Sequence, residues 1–353
     1  MSAPDSDPAL DILLLPLRDG ALQWPVEGGL FLRARDGWPL HRQAMPGLVC
    51  EQGFKPAADA LQRSGMALAA ADHARRWPLV LVLPPRQRDE ARALLVRAIE
   101  RTAPGGRVLA CMPNNEGAKS GEGDLARLAG PLQTVSKQHC RVFWTTPLDG
   151  VIDAELAAQW READAPRPIL DGRFVSRPGV FAWDRIDPAS ALLAAHLPDT
   201  LAGLGADLGC GYGYLASEVL ARCRAVTALD LYEAEARALE VARTNLQPFA
   251  AQVALDFHWH DVTTGLPRRY DFIVSNPPFH AQGRADRPDI GQRFIAAAAD
   301  ALNPGGQLWL VANRHLPYEA ALDATFGSVR TVAQRDGFKV VNAIKGPATK
   351  ATK

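Results

Sequence analysis

The sequence predicts an α/β protein of two similar units, each a mostly parallel sheet flanked by helices. Three observations carry that expectation. In the second half, the apolar run Tyr270 to Val274 reads as a buried strand that enters the turn Ser275-Asn276-Pro277-Pro278-Phe279-His280. A helical stretch then leads to Leu302-Asn303-Pro304-Gly305-Gly306-Gln307-Leu308-Trp309-Leu310. The first half repeats that order: Leu79-Val80-Leu81-Val82-Leu83-Pro84-Pro85, a helix, then Ala103-Pro104-Gly105-Gly106-Arg107-Val108-Leu109. The chain's 353 residues suit two domains, each large enough for its own core.

Taken in chain order, Met1 to Asp7 lacks the positive-then-apolar layout of a signal peptide. Between Asp89 and Arg101, apolar Ala91, Leu94, Leu95, Ala98 and Ile99 recur at helical spacing. The strand pair closing the first half is expected at Thr134-Val135 and Cys140 to Phe143. Trp24, Trp38, Trp77, Trp144 and Trp160 are expected in the core or at an interface, with stacking on RNA as the rival reading. The proline-rich joint Asp164-Ala165-Pro166-Arg167-Pro168 predicts a boundary between domains over 1–165 and 169–346. Ile169 to Trp183 then reads as a hairpin, and residues 347–353 as a disordered tail.

The second half opens its sheet with Leu204 to Leu208, running into Gly209-Cys210-Gly211-Tyr212-Gly213 and a helix through Ser217 to Leu220. Alternate glycines let the backbone adopt positive φ and approach a ligand closely. Asp207 is placed to hold a cationic methionine group. The next strand, Ala225 to Asp230, is expected to present the Asp230 carboxylate at its tip to two ribose hydroxyls, with Leu231 beside it. A third strand, Phe257 to Asp261, is expected to end on that acid near an adenine amine, with Val262 beside it. Gly211-Tyr212-Gly213-Tyr214-Leu215-Ala216 also satisfies a dinucleotide fingerprint. A carboxylate at Asp207 would repel a pyrophosphate, which favours S-adenosyl-L-methionine instead.

The Asn-Pro-Pro-Phe turn fits methylation of a planar nitrogen. Such an amine is a poor nucleophile because its lone pair is delocalised into the ring. Two acceptors, the Asn276 side-chain oxygen and the Pro277 carbonyl, can each take one N–H and direct that lone pair. The prolines stiffen the turn and remove competing donors. Phe279 offers a flat face to an unstacked base. Leu83 stands where Asn276 stands in the repeat, so the first unit is expected to carry the fold without the chemistry. His258, His260, Asp261 and His280 are not expected to hold a metal, since this chemistry needs none.

Arg177-Pro178-Gly179-Val180-Phe181, the Asp207 to Gly213 loop, Ser275 to His280 and Val311 to Tyr318 occur in this order in one group. The chain resembles the bacterial ribosomal RNA guanine-N2 methyltransferases of the small-subunit methyltransferase C type, to which the large-subunit methyltransferase G type is related. The resemblance is dense from Arg177 to Ile344. It implies two tandem Rossmann-like class I methyltransferase domains, of which only the second binds S-adenosyl-L-methionine. It also implies a substrate in 16S rRNA within the small ribosomal subunit, and a monomeric, cytoplasmic enzyme. Asn115, Gly117 and the run Ser136 to Arg141 resemble the small-subunit type, whereas Asn313-Arg314-His315-Leu316 looks more like the large-subunit relative. An adenine or glutamine amine remains an alternative acceptor, and an RNA-binding scaffold an alternative function. One departure lies near Asp187, which is followed by Pro188-Ala189-Ser190 where the family has a Gly-Ser or Gly-Ala pair.

Composition is compatible with this reading. No run of apolar residues is long enough to span a membrane. The five cysteines show no paired spacing and read as reduced thiols. Thirty-nine basic residues balance thirty-nine acidic ones, so charge does not announce a nucleic-acid partner. Only folding can gather the scattered Arg86, Arg88, Arg97, Arg101, Arg284, Arg287, Arg293 and Arg314 on one face.

Overall fold

The structure, a computed structural model, describes residues 7–69, 75–278 and 288–347. Phe279, His280, Arg284, Arg287 and residues 348–353 of the expected tail lie outside the described residues. The chain divides into two compact units, Met1–Ala165 and Pro166–Lys353.

The first unit contains β1 (Gly29–Leu32), β2 (Leu48–Glu51), β3 (Ala67–Leu68), β4 (Trp77–Val82), β5 (Thr102–Pro113), β6 (Leu132–Lys137) and β7 (Cys140–Thr145). They form one sheet in the order β3-β2-β1-β4-β5-β7-β6. The first five are parallel, and β7 runs antiparallel to β5 and β6. The helix Arg88–Glu100 forms as its periodicity predicts. Gln87 caps it by accepting from the Glu90 N–H, acidic Asp89 and Glu90 fill its first turn, and Ala91, Leu94, Leu95, Ala98 and Ile99 are buried.

The second unit begins with a hairpin of β8 (Arg167–Ile169) and β9 (Phe174–Ser176), so the strand starts two residues before Ile169. Then come β10 (Ala202–Leu208), β11 (Ala225–Glu233), β12 (Ala254–Trp259), β13 (Tyr270–Ser275), β14 (Leu302–Asn313), β15 (Ser328–Arg335) and β16 (Phe338–Ile344). Their order, β12-β11-β10-β13-β14-β16-β15, repeats that of the first sheet position for position. Central parallel strands are buried on both faces. In β13 Phe272 and Val274 face the helices Pro188–His196, Tyr214–Arg222 and Ala236–Leu246, while Ile273 faces Pro288–Ala301 and Glu319–Thr325.

The duplication extends to fine detail. β5 and β14 have the same length and the same alternation of buried and exposed positions. In each, Pro-Gly-Gly lies inside the strand rather than before it, with Gly105 and Gly305 at φ 77° and 79°. The residue after β1 is Arg33 at φ 52°, and the residue after β10 is Gly209 at φ 76°. The same left-handed turn thus leaves both first strands.

Gly205 is fixed by close approach. A Cβ there would lie 2.1 Å from Cζ of Phe272, a buried ring directly across the ladder. Gly205→Ala should therefore destabilise the second unit by about 1–3 kcal/mol through overpacking, read as a lower thermal or urea midpoint. An unchanged midpoint would contradict this packing.

Candidate active site

Parallel pairing of β10 with β13 sets Asp207 opposite Val274 and Leu208 opposite Ser275. Ser275 Oγ also donates to the Leu208 carbonyl at 2.8 Å. The two motif loops therefore leave the sheet side by side at its carboxyl edge, where ligands of doubly wound sheets bind.

The first loop is a chain of glycines in left-handed conformation. Gly209, Gly211 and Gly213 have φ of 76°, 56° and 91°, which residues with a Cβ adopt only at a cost. Gly209 and Cys210 donate their N–H groups to the Tyr232 carbonyl, and Gly211 N–H reaches Glu233 Oε2 at 2.9 Å. Gly213 caps the helix Tyr214–Arg222.

Asp207 lies at the base of this loop with no exposed surface. Its Oδ2 accepts from the Ala216 N–H at 3.1 Å, at the start of the helix, while Oδ1 is buried without a hydrogen-bond partner. Burial raises its pKa to about 7, and the nearby negative charge of Glu233 adds to the rise. Burial likewise raises the Glu233 pKa, against the hydrogen bonds it accepts from Glu235 and Gly211.

The second loop carries Asn276, whose amide is held in one orientation. A carboxylate only accepts, so the NH2 end must face Asp187: Nδ2 donates to Asp187 Oδ2 at 2.9 Å and to Ser190 Oγ at 2.8 Å. Oδ1 is thereby left as the acceptor for another group. Asp187 caps the helix Pro188–His196 by accepting from the Ser190 N–H, so the departure in that segment does not disturb the cap. Pro277 is buried behind Asn276, and Pro278 is exposed. Asn276, Asp187, Ser190, Gly209, Gly211 and Phe181 line one cleft, with Phe181 67% exposed. Phe181, Asp187 and Ser190 were not read as site residues from the sequence, since their contacts bridge long separations.

Three expected cofactor residues, Asp230, Leu231 and Val262, stand elsewhere. The strand does not end at Asp230 but continues to Glu233, because Leu231, Tyr232 and Glu233 still pair with Phe257, His258 and Trp259. Asp230 is therefore buried inside the sheet, accepting from Tyr270 Oη at 2.7 Å and paired with Arg268 at 3.4 Å. Leu231 points into the core with Leu229 and Leu239. Glu233, at the strand's tip and bonded to the glycine loop, takes the place expected of Asp230. Asp261 lies past the end of β12, which stops at Trp259; its Oδ1 accepts from Thr263, and Val262 is buried. Asp230, Asp256 and His258 lie close enough to share a metal ion, but the Arg268 guanidinium already reaches both carboxylates.

A buried carboxylate oxygen without a donor, a second acid at the loop and three left-handed glycines fit S-adenosylmethionine: an ammonium for Asp207 and hydroxyl donors for Glu233. The fold and this cleft define an S-adenosylmethionine-dependent methyltransferase. The family described as "Methyltransferase small domain" matches residues 171–342. Ribosomal RNA small subunit methyltransferase C of Pseudomonas paraeruginosa is 34% identical over 269 residues, covering 76% of this chain and 79% of the relative. That of Escherichia coli is 34% identical over 280 residues, covering 78% of each. Among solved structures, the T. thermophilus 16S rRNA N2 G1207 methyltransferase in complex with AdoMet and guanosine superposes with a TM-score of 0.78 at 26% identity, covering 97% of this chain and 92% of that one. The chain belongs to the ribosomal RNA small subunit methyltransferase C family.

Because a methionine ammonium favours ionised Asp207, cofactor affinity measured by calorimetry should fall as pH drops below about 7. The sign is opposite for the free protein: a raised carboxyl pKa makes ionisation costly, so Asp207→Asn should be more stable than the parent at pH 8 while losing the cofactor. Parent-like affinity in that variant would remove Asp207 from the site. Glu233→Ala should weaken cofactor binding by about 1–3 kcal/mol, whereas Asp230→Ala should chiefly lower the melting temperature. The reverse pattern would restore Asp230 to the ribose.

Proposed function

We propose that this protein transfers the methyl group of S-adenosyl-L-methionine to the exocyclic N2 amine of a guanine in 16S rRNA, acting through Asn276, Pro277 and Phe279. The observation that carries the reading is the fixed amide of Asn276, which leaves one oxygen acceptor beside the acidic glycine loop. Bound in that loop, the cofactor supplies an electrophilic methyl on a sulfonium.

The protein's part is positioning and polarisation. Asn276 Oδ1 and the Pro277 carbonyl each accept one N–H of the amine, turning its lone pair out of conjugation with the ring. These bonds strengthen as the nitrogen becomes tetrahedral and its hydrogens more positive. No strong base is required, because the methylated ammonium is acidic enough to lose its proton to water. Asp187 is engaged by Asn276 and by the helix it caps, so it orients the amide and does not act as the base. Asp207, Glu233, the three loop glycines and Asp261 are the residues assigned to the cofactor.

The small ribosomal subunit is the assigned partner, and the enzyme is assigned as a cytoplasmic monomer. The five buried, unpaired cysteines suit a reducing compartment. Among the described residues, no helix is long and apolar enough to cross a membrane. Domain roles follow: the second unit is catalytic, and the first, with Leu83 in place of Asn276, serves binding or stability.

Mass spectrometry of rRNA from a strain lacking the gene tests this directly. One N2-methylguanine should vanish from 16S rRNA and return with the parent gene. Loss from 23S rRNA, or no loss, would refute the assignment. Asn276→Ala should keep cofactor affinity while turnover falls about a hundredfold or more. Near-normal turnover would displace Asn276 from the chemistry.

A further inference from the structure

The neutral chain is not neutral everywhere. In the first unit, the parallel strands β1 and β4 end side by side, with Leu32 opposite Val82. The two segments that leave there, residues 33–42 and 83–88, are the counterparts of the glycine loop and the Asn-Pro-Pro turn. They hold five arginines against one aspartate. The apolar residues at this edge turn inward: Leu40 and Leu83 are buried in one cluster with Leu10 and Phe31. The polar residues turn outward.

Trp38 is the exception to that sorting. Trp77, Trp144 and Trp160 are buried, and Trp24 is partly buried with its indole N–H on the Pro46 carbonyl. Trp38 is 70% exposed. Its neighbour Arg42 and, from the adjacent segment, Arg86 are exposed and have no ion-pair partner among the described residues. Arg33, Arg35 and Arg88 are paired, with Glu90, Asp7 and Asp124. Arg88 nevertheless keeps a side-chain exposure of 58%.

We propose that this carboxyl edge of the first sheet binds a single-stranded segment of RNA, with a base stacked on Trp38 and phosphates on Arg42 and Arg86. Charge complementarity selects the occupant: an exposed aromatic face on the same sheet edge as two unneutralised guanidinium groups matches unstacked bases on a phosphate backbone. An apolar protein partner would leave both arginines to be desolvated without partners. The edge where the second unit keeps its cofactor and acceptor loops has thus become a nucleic-acid surface in the first. This inference rests on rRNA being the substrate.

The test uses the full-length protein and a labelled single-stranded RNA of about twenty nucleotides, with affinity read by fluorescence anisotropy. Trp38→Ala should weaken binding about tenfold, and Trp38→Phe should retain most of it. Arg42→Gln with Arg86→Gln should lower the slope of log affinity against log salt by about 1.4, from roughly 0.7 per phosphate contact on a single strand. S-adenosylmethionine affinity should be unchanged in every variant, since no residue of the cofactor cleft is altered. Unchanged RNA affinity and slope would overturn the proposal, as would a loss of RNA binding matched by a loss of cofactor binding. rRNA methylation separates this from the enzymatic reading. If the parent methylates rRNA and the variants match its KM, the surface falls and the activity stands. If the parent binds RNA through Trp38 without methylating rRNA, the activity falls and the surface stands.

Discussion

Everything at the candidate site depends on the parallel pairing of β10 with β13. That ladder brings together residues nearly seventy positions apart, Leu208 and Ser275, and ties them again through the serine hydroxyl. Asp207 and the glycine loop descend from one strand, and Asn276 and Pro277 from the other. A one-residue slip would turn every side chain to the opposite face. Gly205 guards against it, because only a residue without Cβ admits the Phe272 ring across the ladder.

The electrostatics of the cleft follow from that arrangement. Two carboxylates, Asp207 and Glu233, are brought to one loop and pushed toward their neutral forms by burial. Such a loop resists a pyrophosphate and favours a ligand that brings a cation and hydroxyl donors, which separates this site from a dinucleotide site with a similar glycine spacing. On the other side, the Asp187 carboxylate fixes which end of the Asn276 amide faces the cleft. Acids thus orient both halves of the site without themselves carrying the chemistry.

The fold and the two motif loops were legible because their information is local. Glycine spacing, a proline pair after an apolar run and the repeated Pro-Gly-Gly each sit within a dozen residues. The rest depends on partners that the chain supplies from afar. Asp187 and Asn276 are 89 residues apart, and nothing in either segment points to the other. Asp230 falls short of the strand's tip because a strand's end is set by how far its neighbours pair, and β12 supports β11 through Glu233. The apolar residues after Asp230 carried that signal. Alternation puts Leu231 with Leu229 on one core face and so carries the strand's period past Asp230.

The turn after β1 separates the shape of a loop from the side chains that fill it. Arg33 holds the left-handed conformation that Gly209 holds in the second unit, although arginine has a Cβ that opposes it. One backbone turn is thus reached with arginine in the first unit and with glycine in the second. Backbone geometry and side-chain chemistry are therefore separable at this turn of the duplicated architecture. A repeated α/β unit built this way presents one loop shape twice, and each copy can carry the side chains that a different ligand requires.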